Sequence, residues 1–205
     1  MDHWKATVDL KDVVKGLNSL GDKSEKVFAR TVGEMKTKLP TGISKTVRQE
    51  YGVDAKAVKD ALRVERGGNI PGTTVRNMVI KYRGHLLTPV HFGMRPKERK
   101  AGGKPYSITA TIRKSRGKKE LHGKSYYRGR PFLASTGAKS EGKVKQIPFQ
   151  RETTERTPIT PIKTISVPQM IEDKNGVKPE IVETIDKIFA ERFEHNFNYI
   201  MSKGK

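Results

Sequence analysis

Residue types that carry out acid–base, nucleophilic or metal chemistry are sparse in this sequence. The five histidines are His3, His85, His91, His122 and His195. None stands at a spacing from other histidines or carboxylates that suits a metal site. His85 and His91 flank a short predicted strand and would project near one another, but a structural role is favoured over ligation. Cysteine is absent, which excludes disulfides and thiolate chemistry. We therefore predict a protein that is not an enzyme, and we expect no cofactor and no metal.

A segment rich in glycine and lysine, Gly117 to Ser125, reads GKKELHGKS and is similar to a phosphate-binding loop. Its glycines are one residue too far apart for that motif, no apolar strand precedes it, and the following YYRGRP is not a helical sequence. Carboxylates that a catalytic cleft would need are also scarce, since residues 63–130 hold only Glu65, Glu98 and Glu120. We therefore reject a phosphate-binding loop at this position.

Lysine and arginine are the residues whose number and placement indicate a chemistry. The 205-residue chain has a formal net charge of +20, and residues 63–130 hold 18 basic and three acidic residues, a net charge of +15. A concentrated basic region most often faces a polyanion such as nucleic acid, and the alternative is a solvated surface that meets acidic patches on other proteins. The residues that we predict to face DNA or an acidic partner are Arg95, Lys97, Arg99, Lys100, Lys104, Arg113, Lys114, Arg116, Lys118, Lys119, Lys124, Arg128 and Arg130.

Readout of base sequence is not expected. Tyr126 and Tyr127 lie among basic residues and could stack on bases, although such a pair more often fills an interface. A predicted short helix after Gly52 resembles part of a helix-turn-helix, but it presents Lys56 and Lys59 without an Arg, Asn or Gln for base edges. The basic residues therefore predict attraction to phosphates that depends on salt and is indifferent to sequence.

Helices are predicted in residues 1–62. The apolar spacing predicts one helix from Asp9 to Leu20 and a second that begins near Asp22. Pro40 and Gly42 are expected to kink or end this second helix, with a continuation that closes at Gly52. Asp54 is expected to cap a third helix.

Strands and long basic loops are predicted after residue 62. The loops span residues 95–104, 115–119 and 122–130, and loops of this length are normally functional or disordered. The apolar patterns predict a mixed or antiparallel sheet. Its strands are predicted at Thr73–Arg83, Thr88–Phe92, Pro105–Lys114, Arg130–Ala134, Val144–Phe149 and Ile162–Val167, where Pro161 and Pro168 bracket the last one as a short or edge strand.

An amphipathic helix over residues 177–203 is the clearest element of the sequence. Its apolar residues recur at spacings of three and four, and a stripe of this length needs a partner surface in its own sheet or in a neighbouring subunit. We predict a subunit interface that includes Ile181, Ile185, Phe189, Phe193 and Phe197.

The order of these patterns predicts a single α+β domain over residues 1–205. It comprises N-terminal helices (1–62), a central sheet with extended basic loops at 95–130 (63–170) and the C-terminal amphipathic helix (177–203). No apolar run approaches the roughly 20 residues that span a bilayer, and the N-terminus lacks the form of a secretion signal. We therefore expect synthesis in the cytoplasm.

Four short segments and the terminal helix, taken in order, resemble the minor tail protein Z family of long-tailed phages and prophages. The most specific of them is Ser166 to Gln169, whereas residues 95–128 match nothing in that family. The four segments are Arg30–Val53 (RTVGEMKTKLPTGISKTVRQEYGV), Val58–Val64 (VKDALRV), Arg130–Ser135 (RPFLAS) and Thr164–Met170 (TISVPQM).

This resemblance implies a structural virion protein that completes the head-proximal end of a phage tail and contributes to head–tail joining and DNA passage. Related neck and tail-completion proteins are α+β and work as rings, commonly hexamers. The implied partners are further copies of the chain, the tail tube or terminator and head-connector proteins, and phage DNA in the lumen without sequence specificity, but no membrane. The implied location is the host cytoplasm during assembly and then the tail of the virion. The alternative is a sequence-nonspecific nucleic-acid-binding protein that is not part of a virion.

Overall fold

The computed structural model describes residues 2–8, 22–69, 76–99, 102, 105–140, 143–173 and 177–203, and the fold class is α+β as predicted. The helices are α1 (Asp22–Glu50), α2 (Ala55–Ala61), α3 (Val167–Ile171) and α4 (Val177–Ser202). The strands are β1 (Asp2–Val8), β2 (Leu62–Asn69), β3 (Arg76–Gly84), β4 (Thr109–Ala110), β5 (Lys119–Glu120), β6 (Arg128–Ser140), β7 (Lys143–Arg151) and β8 (Ile159–Pro161). Two short 3-10 helices lie at Pro89–Phe92 and Lys114–Arg116.

The chain divides into two compact units, each built from separate stretches of sequence. Unit 1 comprises Met1–Val47, Val58–Gly84 and Val167–Lys205. Unit 2 comprises Arg48–Ala57 and His85–Ser166. A single domain over all 205 residues stays a prediction.

Helices α1 and α4 pack against each other in unit 1. They run antiparallel, because Thr46 of α1 contacts Thr184 near the start of α4, whereas Phe28 contacts Phe193 near its end. The face of α1 that carries the apolar residues is buried, as its spacing of three and four predicts. Its buried apolar residues are Val27, Phe28, Val32, Met35, Leu39, Ile43 and Val47.

Helix α1 continues through Pro40 and ends at Glu50, two residues before the predicted close at Gly52. Of the two predicted effects of Pro40 and Gly42, a helix end is wrong and a kink stays a prediction. Proline removes one backbone donor from a helix interior and costs about 3 kcal/mol. Leu39 and Ile43 on either side of it are 0% exposed, so burial of the continuous apolar face offsets that loss.

The sheet of unit 1 has the strand order β1-β3-β2, and both pairings are antiparallel. Met78, Ile80 and Tyr82 alternate along the central strand and are fully buried, as a period of two requires for one covered face. Strand β3 lies within the predicted Thr73–Arg83 strand except at its last residue, whereas β1 was not predicted. The predicted helix from Asp9 to Leu20 lies outside the described residues.

Unit 2 contains two small antiparallel sheets, one of β4 and β5 and one with the order β6-β7-β8. The predictions at Arg130–Ala134 and Val144–Phe149 fall within β6 and β7. The predicted Pro105–Lys114 strand is wrong over most of its length, because only Thr109–Ala110 is strand.

Two further strand predictions are wrong, and proline accounts for both. In place of the predicted Thr88–Phe92 strand, Pro89–Phe92 forms a 3-10 helix, since the fixed φ of proline suits a first helical turn. The predicted Ile162–Val167 strand is displaced, because the strand ends at Pro161 and Val167 already begins α3. Pro168 then occupies the first turn of that helix.

Candidate nucleic-acid interface

The cationic loop, which we define as Arg113–Lys119, follows β4 and leads into β5 in unit 2. Five of its seven residues are lysine or arginine. The loop folds on itself, because the Arg116 amide donates to the Arg113 carbonyl at 3.2 Å and the Gly117 amide donates to the Lys114 carbonyl at 2.9 Å. Gly117 has a φ of 64°, which favours glycine. All residues of the loop after Arg113 are exposed, so the compact turn presents its cations to solvent.

The base of the cationic loop is attached to the chain near residue 51. The Gly52 amide donates to the Ile112 carbonyl at 3.0 Å, and Tyr51 forms an antiparallel bridge with Arg113. The Arg113 guanidinium also lies over the Tyr51 ring, 5.1 Å from its centroid. A Cβ at Gly52 would stand 2.0 Å from the Thr111 carbonyl oxygen, so only glycine permits this approach.

A second group of predicted cations, Arg95, Lys97 and Arg99, is exposed on the segment that follows the first 3-10 helix. Arg95 and Thr109 exchange two backbone hydrogen bonds of 2.9 and 2.8 Å, which attaches this segment to β4. The Arg99 amide donates to the Gln146 side-chain oxygen at 2.8 Å. The remaining members of this group, Lys100 and Lys104, lie outside the described residues.

A third group contains Lys124, Arg128 and Arg130. The Lys124 ammonium lies 5.4 Å from the ring centroid of Tyr126 and 5.1 Å from that of Tyr127. A hydrogen bond with Tyr126 and then electrostatic interactions with Tyr126 and Tyr127 raise the pKa of Lys124 above its ordinary value, which favours its charged form. Arg130 is exposed on β6. Arg128 begins β6, but its side chain lies outside the described part of the structure.

Unit 2 therefore carries the described members of the predicted cationic set in three anchored groups. Between described residues, no salt bridge engages the lysines of the cationic loop; the pair in this unit joins His91 to Asp54. A surface of this kind attracts polyanions electrostatically. The role of each cation in contacting DNA stays a prediction.

The predicted subunit interface on α4 lies in unit 1, and its first three residues are covered by the chain itself. Ile181, Ile185 and Phe189 are 0%, 3% and 7% exposed. Phe193 and Phe197 are half-buried, and Phe193 packs on Phe28 of α1 with ring centroids 5.2 Å apart. The first three residues offer a second subunit no accessible surface because α4 finds its partner within its own chain. An interface at Phe193 and Phe197 stays a prediction.

The sequence pattern did not reveal the pairing of His91 with Asp54, which are 37 residues apart. The His91 Nδ1 lies 2.6 Å from Asp54 Oδ2, while Asp54 Oδ1 accepts a 2.7 Å hydrogen bond from the Ala57 amide at the start of α2. The capping role of Asp54 was predicted and is confirmed.

The pair borders a pocket of about 580 Å³ in unit 2. Asp54 and Glu98 are among the described residues that line this pocket, and none of those residues is Ser, Thr or Tyr. Within the described ranges, no three His, Asp or Glu side chains form a group that could hold a metal ion. Through Asp54 the pair joins His91 to the first turn of α2, and the absence of enzymatic activity stays a prediction.

Comparisons of the chain with protein-family models, with curated proteins and with solved structures find no match. No helix within the described ranges is both long and apolar enough to span a bilayer. Function must therefore be argued from the residues and their geometry.

Proposed function

We propose that this chain is a structural protein of a phage virion that completes the head-proximal end of the tail as a ring. It joins tail to head, and its basic surface faces the DNA that passes through the lumen. The observation that supports this most directly is the cationic loop, whose exposed lysines stand on an anchored backbone. No carboxylate occurs in the sequence from Arg99 to Lys119. Such a surface attracts phosphates along any DNA sequence.

The geometry favours contact with the phosphate backbone over base readout. The 3-10 helix in the cationic loop is three residues long, which is too short to act as a recognition helix in the major groove. Lysine binds phosphate as a compact point charge without a directional fork. A channel that conducts DNA needs this property, because attraction that varied with base sequence would halt the DNA at preferred sites.

The segment on which the phage-tail resemblance is most specific, Ser166–Gln169, begins with the last residue of unit 2 and continues into unit 1. Ser166, Val167 and Pro168 are buried where α3 begins, whereas Gln169 is exposed. The buried residues of this segment therefore serve packing of the fold, and we assign contacts with DNA and neighbouring proteins to the cationic groups of unit 2.

Binding of duplex DNA at several salt concentrations tests the role of the cationic loop. The test variant replaces Lys114, Arg116, Lys118 and Lys119 with glutamine. We expect lower affinity and a shallower dependence of log K on log salt, by up to about 0.9 for each phosphate contact that is lost.

A matched control replaces the four exposed lysines Lys23, Lys36, Lys38 and Lys45 of α1, which removes the same charge from unit 1. The control should retain most of the affinity and nearly the original salt dependence. Equal losses in both variants would mean that net charge alone governs binding and would reject the loop as the DNA contact.

A second candidate function is a nucleic-acid-binding protein that is not part of a virion. The burial of Ile181, Ile185 and Phe189 within the chain favours it, since this removes part of the surface expected between ring subunits. Mass measurement with and without purified tail tubes separates the two candidates. A ring or a tube-bound subunit supports the virion protein, whereas a monomer whose mass changes only with nucleic acid supports the alternative.

A further inference from the structure

The arginine cleft, which we define by Arg99, Arg130, Arg151 and Arg156, is a concave region of unit 2 with a volume of about 720 Å³. Among the described residues that line it there is no lysine, aspartate or glutamate. Arg151 and Arg156 were not among the predicted DNA-facing residues. The cleft therefore differs in chemistry from the lysine-rich cationic loop.

Arginine and lysine bind anions differently. The guanidinium group is a planar fork that donates two parallel hydrogen bonds to a phosphate, whereas the ammonium group acts as a point charge. Four arginines that line one concavity give it a positive charge that favours an anionic ligand. An anion with concentrated charge can also accept forked hydrogen bonds.

Two of the four arginines, Arg151 and Arg99, are held by hydrogen bonds to neighbouring residues. The Arg151 guanidinium donates to the carbonyls of Glu155 and Arg156 and lies over the Phe132 ring, 5.1 Å from its centroid. The backbone of Arg99 is held by the Gln146 side chain at 2.8 Å. These contacts reduce the entropy that the site would lose when a ligand binds.

Neutral groups complete the lining. The Tyr106 hydroxyl accepts a 3.0 Å hydrogen bond from the Leu133 amide, so its own proton is available to a further acceptor. Gly129 has a φ of 79° and its carbonyl accepts a hydrogen bond from the Gln150 side chain at 3.2 Å, which holds the backbone of β6 immediately before Arg130. The cleft thus combines forked cations with a hydroxyl donor.

No carboxylate from the adjacent bend neutralises these cations. Glu152 accepts a hydrogen bond from the Thr160 hydroxyl, and Glu155 contributes its backbone carbonyl to Arg151. Neither lines the cleft. Within the described ranges, the charge of the cleft is therefore open to compensation by an anionic ligand.

We propose that the arginine cleft binds the terminal phosphate of a nucleic-acid strand. A phosphomonoester carries close to two negative charges at neutral pH, whereas each internal phosphodiester carries one. A concave site lined by four arginines suits the end of a strand, and the exposed cationic loop suits contact along the rest of the strand. This inference goes beyond the proposed function because it requires neither a ring nor a virion.

The test compares two single-stranded oligonucleotides of one sequence, which differ only in a terminal phosphate or a terminal hydroxyl. Fluorescence anisotropy should show about ten-fold tighter binding of the phosphorylated strand, as expected for one additional forked charge contact. The double variant Arg130→Gln, Arg156→Gln should lose this preference. Equal affinity of the two strands for the unmodified protein would overturn the proposal.

The control variant Lys114→Gln, Lys118→Gln should bind both strands more weakly and keep the preference, which separates the cleft from the proposed DNA contact. Loss of the preference in this control would overturn the proposal even if the DNA contact were correct.

The double variant Arg130→Lys, Arg156→Lys keeps the positive charge and removes the forked guanidinium groups, so we expect it to show a reduced preference for the phosphorylated strand as well. Arg130 and Arg156 are both exposed, which limits effects on folding.

Competition experiments separate the two sources of a phosphomonoester. Inorganic phosphate and a nucleoside monophosphate should displace the phosphorylated strand only at concentrations well above that of the strand itself. Displacement by the monophosphate as efficiently as by the strand would reject a strand end and identify a free nucleotide as the ligand.

Discussion

The side-chain amide of Asn196 in α4 donates a 3.2 Å hydrogen bond to the hydroxyl of Thr31 in α1, inside the contact between the two helices. Both residues are 0% exposed. The Thr31 hydroxyl in turn donates to the Val27 carbonyl at 2.8 Å. Asn196 Oδ1 has no hydrogen-bond partner among the described residues. A buried acceptor without a hydrogen-bond partner lowers the stability of the fold. Replacing the side chain that carries it therefore need not lower the free energy of unfolding.

Substitutions at these two positions should have unequal effects. Thr31→Val leaves both polar atoms of the Asn196 side chain without a partner and should lower the free energy of unfolding by about 1–3 kcal/mol. Asn196→Leu leaves Thr31 bonded to Val27 and should change that free energy by less than about 1 kcal/mol. Equilibrium urea denaturation measures both, and an Asn196→Leu loss as large as that of Thr31→Val would contradict this account.

Alanine substitutions at two glycines should have opposite signs. A Cβ at Gly52 would stand 2.0 Å from the Thr111 carbonyl oxygen, whereas a Cβ at Gly33 has no atom within 4 Å. Gly52→Ala should therefore destabilise unit 2 by at least about 1–3 kcal/mol and weaken DNA binding, because it detaches the base of the cationic loop. Gly33→Ala on the exposed face of α1 should stabilise by about 1 kcal/mol. Denaturation and DNA titration check both, and unchanged DNA affinity in Gly52→Ala would show that the loop needs no anchor.

The helices of this fold were predictable because their apolar spacing is also the pattern of their burial, as in α1 and α4. Local rules failed where packing outweighs them: α1 passes Pro40 because Leu39 and Ile43 are buried on both sides. Strand β1 escaped prediction because its pairing partners in β3 lie 70 or more residues further along the chain.

The cations of unit 2 were visible as a basic region, but their arrangement was not. Arg130 of β6 and Arg151 of β7 line one cleft because these two strands pair as an antiparallel ladder, and Arg99 and Arg156 line it from segments outside the two strands. Residue spacing cannot encode a contact of this kind. The covered face of α4 illustrates the same point, since an amphipathic stripe does not specify whether its partner is the same chain or another.

Tyr82 in the centre of β3 should make the stability of unit 1 fall at alkaline pH. Its side chain is 0% exposed, and burial raises the pKa of Tyr82 far above its ordinary value of 10.0. In the unfolded chain the phenol ionises near pH 10, whereas in the fold it stays protonated. The stabilising effect is therefore complete below pH 10 and decreases as the pH rises above that value.

The measurement for Tyr82 is the free energy of unfolding as a function of pH for the protein and for Tyr82→Phe. Phenylalanine does not ionise, so the free energy of unfolding of the variant should rise relative to that of the unmodified protein above pH 10. A difference that stays constant across that range would show that Tyr82 ionises in the fold as easily as in the unfolded chain.

Tyr199 near the end of α4 should show the opposite dependence on pH. Hydrogen bonds with Lys203 and then Arg30 lower the pKa of Tyr199 from its ordinary value of 10.0. The Lys203 ammonium and the Arg30 guanidinium lie 4.6 and 4.2 Å from the ring centroid. Because the phenolate forms more easily in the fold, its stabilising effect is present above pH 10 and is lost as the pH falls through the folded pKa.

Tyrosinate absorbance measures this directly, as the difference between the titration curves of the protein and of Tyr199→Phe. The midpoint of that difference should lie below 10.0, the ordinary value. Lys203→Met should raise the midpoint more than Arg30→Met, since the hydrogen bond with Lys203 is the larger cause of the lowered pKa. Lys187→Met on the same helix is the matched control and should leave it unchanged. A midpoint at or above the ordinary value would mean that the two cations do not stabilise the phenolate.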